Sequence, residues 1–157
     1  MRDRNKGFTL MELIVTVSIV AILASVAVPS FIGMIARNRA DTDVGDFYRA
    51  LNYARLEAIN RGVNVRIWPD NKSSSGWNTL LDVQASNNLV TPYLRVVPAM
   101  STNAVMTPST AVSYIEFNNM GALNYPTSAL TLSYVNGSTT RTVGLCLNGR
   151  VVLNGTC

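Results

Sequence analysis

The sequence predicts an α+β chain: a long N-terminal α-helix, membrane-spanning in its first half and amphipathic in its second, packed on a C-terminal antiparallel β-sheet. Three observations carry this. Leu13 to Ala36 runs 24 residues without a formal charge and is rich in Val, Ile, Ala and Leu. At about 1.5 Å per residue, such a helix crosses a hydrocarbon core of about 30 Å. From Asp41 to Arg61 the apolar residues Val44, Phe47, Leu51, Ala54 and Ala58 recur at helical spacing, which makes one face of an amphipathic helix. Beyond Gly62 the period changes to two, with Asn-Gly pairs between β-rich runs.

The first residues set the orientation. Arg2, Arg4 and Lys6 stand against the single acid Asp3, so this end is expected in the cytoplasm and everything after Ala36 outside it. A cleaved secretory signal would have an apolar region of about 7–15 residues. The run here is longer, although Ala24-Ser25-Val26-Ala27 has the small residues of a cleavage site. A plain signal anchor leaves Glu12 unexplained. A carboxylate costs about 2.5–3.5 kcal/mol at the centre of a membrane helix, less near the interface, and needs a partner.

Gly7-Phe8-Thr9-Leu10-Met11-Glu12, followed by the apolar run, resembles the class III signal of type IV pilins and type II secretion pseudopilins. Pro29 falls where many pilin helices carry a kinking proline. The resemblance implies that a prepilin peptidase removes the leader 1–7 between Gly7 and Phe8, and that the new Phe8 amine is N-methylated. It also implies that residues 8–36 are kept, first as a membrane anchor in contact with lipid and then as filament core. Glu12 would then pair with the Phe8 amine of a neighbouring subunit, because a buried charge without a partner is strongly unfavourable. Independently of any assembly role, an acid in a first turn complements the helix dipole.

Residues 37–157 are expected to form the exported globular domain, opened by the amphipathic helix 41–61. Asp41, Asp43 and Asp46 precede Arg49, Arg55 and Arg61, the order the helix dipole favours, and Gly62 is the stop. A bend is expected at Pro29, which removes a backbone hydrogen bond. The expected strands are Val63–Trp68, Thr79–Val83, Tyr93–Val97, Ser113–Asn118, Leu130–Val135, Thr140–Leu147 and Val151–Leu153, with a further short one after Gly121. Asp70–Trp77 reads as a loop, Ser86-Asn87-Asn88 as a turn, and Pro98–Ser109 as an irregular connection. Asn136-Gly137 and Asn148-Gly149 read as hairpin turns that make the C-terminal part a meander.

The two cysteines, Cys146 and Cys157, lie in the exported part. Bridging them closes a loop of about a dozen residues, worth about 3 kcal/mol in the chain-entropy model, and export favours the bond. Two free thiols are the alternative. A C-terminal disulfide loop is also what the resemblance to type IV pilins implies.

Three later stretches are similar to the GspH/FimT-like minor pilins and pseudopilins. They are Tyr53-Ala54-Arg55 through Arg61-Gly62, Tyr114 through Gly121 with an aromatic-x-x-x-glycine strand end, and Leu147-Asn148-Gly149-Arg150-Val151. One branch of that group binds DNA through Gly-Arg-x-Arg; here the positions are Gly149, Arg150, Val151 and Val152, so the second arginine is missing. Arg150 with Arg141 makes a thin cationic patch, and phosphate binding needs several cations acting together.

Net charge is +4, and the leader holds three of the cations and one anion, leaving +2 for residues 8–157. There is no histidine, no nucleophile elbow and no glycine-rich phosphate loop, so neither catalysis nor a metal or other cofactor is expected. The sequons at Asn71, Asn136 and Asn154 read as turns. The resemblance implies a minor pilin that helps initiate type IV pilus assembly. Its partners would be other minor pilins, the major pilin, the prepilin peptidase and the inner-membrane assembly platform. A type II secretion pseudopilin and a DNA-binding pilin for transformation are the alternatives.

Overall fold

A computed structural model describes residues 8–70, 76–85 and 93–157. The leader 1–7, the sequon at Asn71 and the turn at Ser86-Asn87-Asn88 lie outside the described residues. Two compact units divide the chain between Ala36 and Arg37.

One helix, α1 (Leu10–Arg61), precedes all the strands. Its assignment runs without interruption through Pro29, where a bend was expected. In the first unit every large apolar side chain from Phe8 to Ile35 is exposed, and the most apolar window of the helix is 0% buried. The few hydroxyls satisfy themselves: Thr16 donates to the Leu13 carbonyl at 2.8 Å, Ser18 to Ile14 at 2.7 Å and Ser25 to Ile22 at 2.7 Å. These three hydroxyls are thus closed onto their own backbone, and the surface between Glu12 and Ala36 is dominated by apolar side chains.

The second unit begins where α1 acquires two different faces. Ala40, Val44, Phe47, Ala50, Leu51, Ala54 and Ala58 are buried, the predicted stripe plus two small residues that let the helix approach closely. Phe47 meets Trp77 edge to face, with centroids 6.1 Å apart. Trp77 donates to the Val112 carbonyl at 3.0 Å. Gly62 ends the helix with φ +65, the left-handed conformation that glycine adopts without strain.

Two antiparallel sheets follow where one was expected. The first holds β1 (Val65–Pro69), β2 (Leu81–Ala85), β3 (Arg95–Val97), β5 (Ile115–Phe117) and β6 (Leu123–Tyr125), in the order β3-β2-β1-β5-β6. The second holds β4 (Val105–Pro108), β7 (Leu130–Asn136), β8 (Thr139–Leu145) and β9 (Val151–Leu153), in the order β4-β7-β8-β9. The C-terminal meander is β7-β8-β9, as its turn residues predict. Strand β4 corrects the irregular reading of Pro98–Ser109. It is a short edge strand, Val105 pairing with Val135 and Pro108 with Leu132, and an edge tolerates a proline that cannot donate to the ladder.

The first hairpin turn is shifted by one residue from its expected place. Asn136 pairs with Thr139, so the loop is Gly137-Ser138, with φ +58 at Gly137 alone. That is the glycine-first II′ pattern rather than Asn-Gly in I′. The second turn has three residues, Leu147-Asn148-Gly149: Gly149 N–H donates to the Cys146 carbonyl at 2.8 Å, and Cys146 N–H to that of Arg150 at 2.9 Å.

Candidate functional site

Thr9 closes the start of α1. Glu12 N–H donates to Thr9 Oγ1 at 3.2 Å, and Leu13 N–H to the Thr9 carbonyl at 3.2 Å. Thr9 is therefore the N-cap, and it satisfies one of the donors a helix start leaves open. The signal was present in the sequence as Thr-x-x-Glu, the spacing of a capping box, but attention to Glu12 alone passes over it. Phe8 precedes the helix and is 74% exposed. Among the described residues no cation lies within ion-pair range of the Glu12 carboxylate. The first unit thus presents an acid at the head of a helix with no buried face.

In the second unit the cysteines form the Cys146–Cys157 disulfide, with Cα atoms 5.4 Å apart. The bridge holds the residues after β9 against β8. Asn154 N–H donates to the Thr142 carbonyl at 2.7 Å, and a Cβ on Gly144 would lie 2.7 Å from the Gly155 oxygen.

Above the turn that follows Cys146, three separate sequence motifs meet. Arg55 of α1 donates through Nε to the Gly121 carbonyl at 2.8 Å and through Nη2 to the Asn148 carbonyl at 3.3 Å. Gly121, in the turn before β6, and Gly149, in the turn before β9, both have φ +77. A Cβ on Gly149 would sit 1.9 Å from the Gly121 oxygen, and one on Gly121 would sit 2.6 Å from Ile59 Cδ1. Leu123 N–H donates to the Leu147 carbonyl at 3.0 Å and joins the two turns directly. At Gly149 glycine is required for conformation and for space, whereas at Gly121 the positive φ is the main constraint, because the tip of Ile59 can shift. The Tyr53–Gly62, Tyr114–Gly121 and Leu147–Val151 stretches are therefore one structural junction. No periodicity reveals it, because 66 residues separate Arg55 from Gly121.

A second polar cluster lies on β1, β5 and β6. Glu116, 3% exposed, is ion-paired with Arg66 and accepts from Asn64 and Asn124. Burial pushes its pKa up, but the bonds from Arg66, Asn124 and Asn64 outweigh this and hold it below the usual carboxylate value. The Arg66 guanidinium lies 4.7 Å from the Tyr114 ring centroid, and Tyr114 stacks on Tyr125 at 4.4 Å. Asp43 has a similar role on α1, accepting from the Tyr134 hydroxyl at 2.7 Å and from Ser101. Burial first, and then the bond to Asp43, raise the Tyr134 pKa.

The two arginines considered for DNA are not brought together. Arg141 donates through Nε to Asp41 at 2.7 Å and is largely covered. Arg150 is exposed, with no side-chain partner among the described residues. Cys146, which bonds the Arg150 carbonyl, is five residues from Arg141 along the chain. At about 3.3 Å per strand residue the two lie about 16 Å apart along β8. Of the expected turns, Asn136 donates to the Thr102 carbonyl and the Tyr134 hydroxyl, and Asn154 has φ +52.

A family model described as type II transport protein GspH matches residues 43–150, from the amphipathic part of α1 to the last turn. The chain belongs to the GspH family. A second model, the prokaryotic N-terminal methylation motif, matches residues 2–28 of this GspH-family chain. Its fold is similar to that of the type IV minor pilin FimU of Pseudomonas aeruginosa, with a TM-score of 0.64 at 22% identity over 76% of this chain and 90% of that one. A fimbrial protein of Neisseria meningitidis is 30% identical over 73% of this chain and 61% of its own length. The type IV major pilin PilA of Myxococcus xanthus is 46% identical over 30% of this chain and 23% of its own. The chain thus spans from about a quarter to about six tenths of the length of such curated relatives. These are structural pilin subunits, and the GspH-family chain is a type IV pilin-like protein rather than an enzyme.

Proposed function

We propose that the chain is a minor pilin, a structural subunit that helps initiate assembly of a type IV pilus. The observation that carries the reading is the first unit: a capped helix with Glu12 in its first turn and, among the described residues, no apolar side chain buried within the chain. Such a surface needs lipid or other helices around it. In this reading residues 1–7 are a leader cut between Gly7 and Phe8, and Phe8 is N-methylated. Residues 8–36 hold the protein in the inner membrane with residues 37–157 outside the cytoplasm, until it enters a surface filament. There the Glu12 carboxylate takes the Phe8 amine of its neighbour as partner, and other pilins form the surroundings of the helix. The matched methylation motif and the FimU-like fold support it.

The GspH description favours a second reading, a minor pseudopilin of a type II secretion system. DNA binding has weaker support, since Arg150 stands without Arg141. A deletion strain scored for surface pili, protein secretion and transformation separates the three. The expected result is loss of pili with normal secretion, restored by wild type and by Arg150→Ala. Normal pili with secretion lost would select the pseudopilin. Normal pili with transformation lost, and not restored by Arg150→Ala, would select the DNA receptor. Intact-mass analysis of membrane-extracted protein is expected to show a chain starting at methylated Phe8; a chain keeping residues 1–7 would overturn the processing.

A further inference from the structure

We infer that the rim of the Arg55–Gly121–Gly149 junction is a docking surface for a different protein subunit, one presenting apolar side chains beside carboxylates. The inference rests on the assembly reading above and names the surface that would serve it.

Four large apolar side chains are exposed around the junction. Met120 is 81% exposed in the turn that carries Gly121, and Leu147 is 52% exposed in the turn that carries Gly149. Ile59, whose Cδ1 packs over Gly121, is 44% exposed, and Leu56 is 57% exposed three residues before it on the same helix face. The backbone that presents them is held rigidly by the two Arg55 bonds, the Leu123–Leu147 bond and the glycine contact. Exposed apolar groups on a fixed platform lose little entropy on docking.

Charge defines the partner. The Arg55 guanidinium is held by two carbonyls and, among the described residues, by no carboxylate, and its Nε lies 3.0 Å from where a Gly149 Cβ would be. Arg150, the next residue, has no ion-pair partner among the described residues. Two uncompensated cations on adjoining backbone therefore border the apolar group, and carboxylates on the partner would complement them.

A second copy of this chain is a poor fit, because all but one of the described acids of its second unit are already engaged or buried. Asp41, Asp46 and Glu57 pair with arginines, Asp43 takes the Ser101 and Tyr134 donors, and Glu116 and Asp82 are buried. Among the described acids of the second unit only Asp70 is exposed with its carboxylate unpaired. The complement must come from another chain.

The test places a photo-crosslinking amino acid at Met120, at Ile22 of the apolar helix, and at Thr107 on edge strand β4, in the full chain in cells. The expected result is a protein adduct from Met120, with the cross-linked peptide of another chain containing Asp or Glu beside apolar residues. Its yield should fall about fivefold or more with Leu147→Glu and with Arg150→Glu, while the Ile22 adduct is unchanged. A Met120 yield no greater than that from Thr107, with Ile22 still reacting, overturns the surface and leaves the assembly reading standing. Silence at both Met120 and Ile22 overturns both. A nuclease-sensitive adduct, or one with a second copy of this chain, overturns the choice of partner.

Discussion

Gly149 shows what a single position can decide. It has the left-handed φ that costs other residues about 1–2 kcal/mol, and the Gly121 oxygen occupies the place of any side chain. Gly137 also has a positive φ but nothing within 4 Å. Gly149→Ala is therefore expected to destabilise the globular unit by about 2–4 kcal/mol, and Gly137→Ala by about 1–2 kcal/mol. Urea unfolding of the detergent-solubilised chain gives both values, and equal costs would show that the close approach carries no energy. The sequence alone marks the two glycines alike, as members of Asn-Gly pairs. Thr9 makes the opposite point, since its cap role was legible in its spacing to Glu12.

At the scale of elements, the sheet β3-β2-β1-β5-β6 is crossed by a buried charge. Glu116 is held ionised by Arg66, Asn124 and Asn64, so its pKa in the folded chain lies below that in the unfolded chain. A depressed carboxyl stabilises fully above the unfolded value of about 4.3, and that contribution is lost as pH falls through the folded value. Glu116→Gln should cost about 1–3 kcal/mol at pH 7 by leaving Arg66 without its partner. The gap to wild type should narrow as pH drops below about 4, which thermal melts across pH 3–7 would follow. A gap that widens in acid would refute the assignment. The helix stripe was readable because 3.6-residue periodicity is local. Strand β4 was not, because an edge strand of four residues with one buried apolar side chain, Met106, carries almost no pattern.

For the whole molecule, the two units answer to different solvents. Phe47 is 1% exposed and packs on Trp77, whereas Ile22 is 66% exposed in the apolar first part of the same helix. Phe47→Ala is expected to cost the globular unit about 3–5 kcal/mol. Ile22→Ala should leave its unfolding within about 0.5 kcal/mol while weakening retention of the full chain in membranes. Thermal unfolding followed by Trp77 and Trp68 fluorescence, beside carbonate extraction of membranes, measures the two effects. A large loss of globular stability in Ile22→Ala would contradict the division at Ala36.

By itself the sequence determined the apolar helix, its amphipathic continuation, the acid at its head, the C-terminal meander and the cysteine pair. Each depends on composition or on spacings of a few residues, where one chain segment states its own preference. Only the tertiary structure decided that the strands form two sheets, that Arg141 is taken by Asp41 while Arg150 has no side-chain partner among the described residues, and that Arg55, Gly121 and Gly149 form one junction. Those contacts join residues up to a hundred positions apart, and they depend on how much space and which unpaired carbonyls the packed chain leaves between its elements.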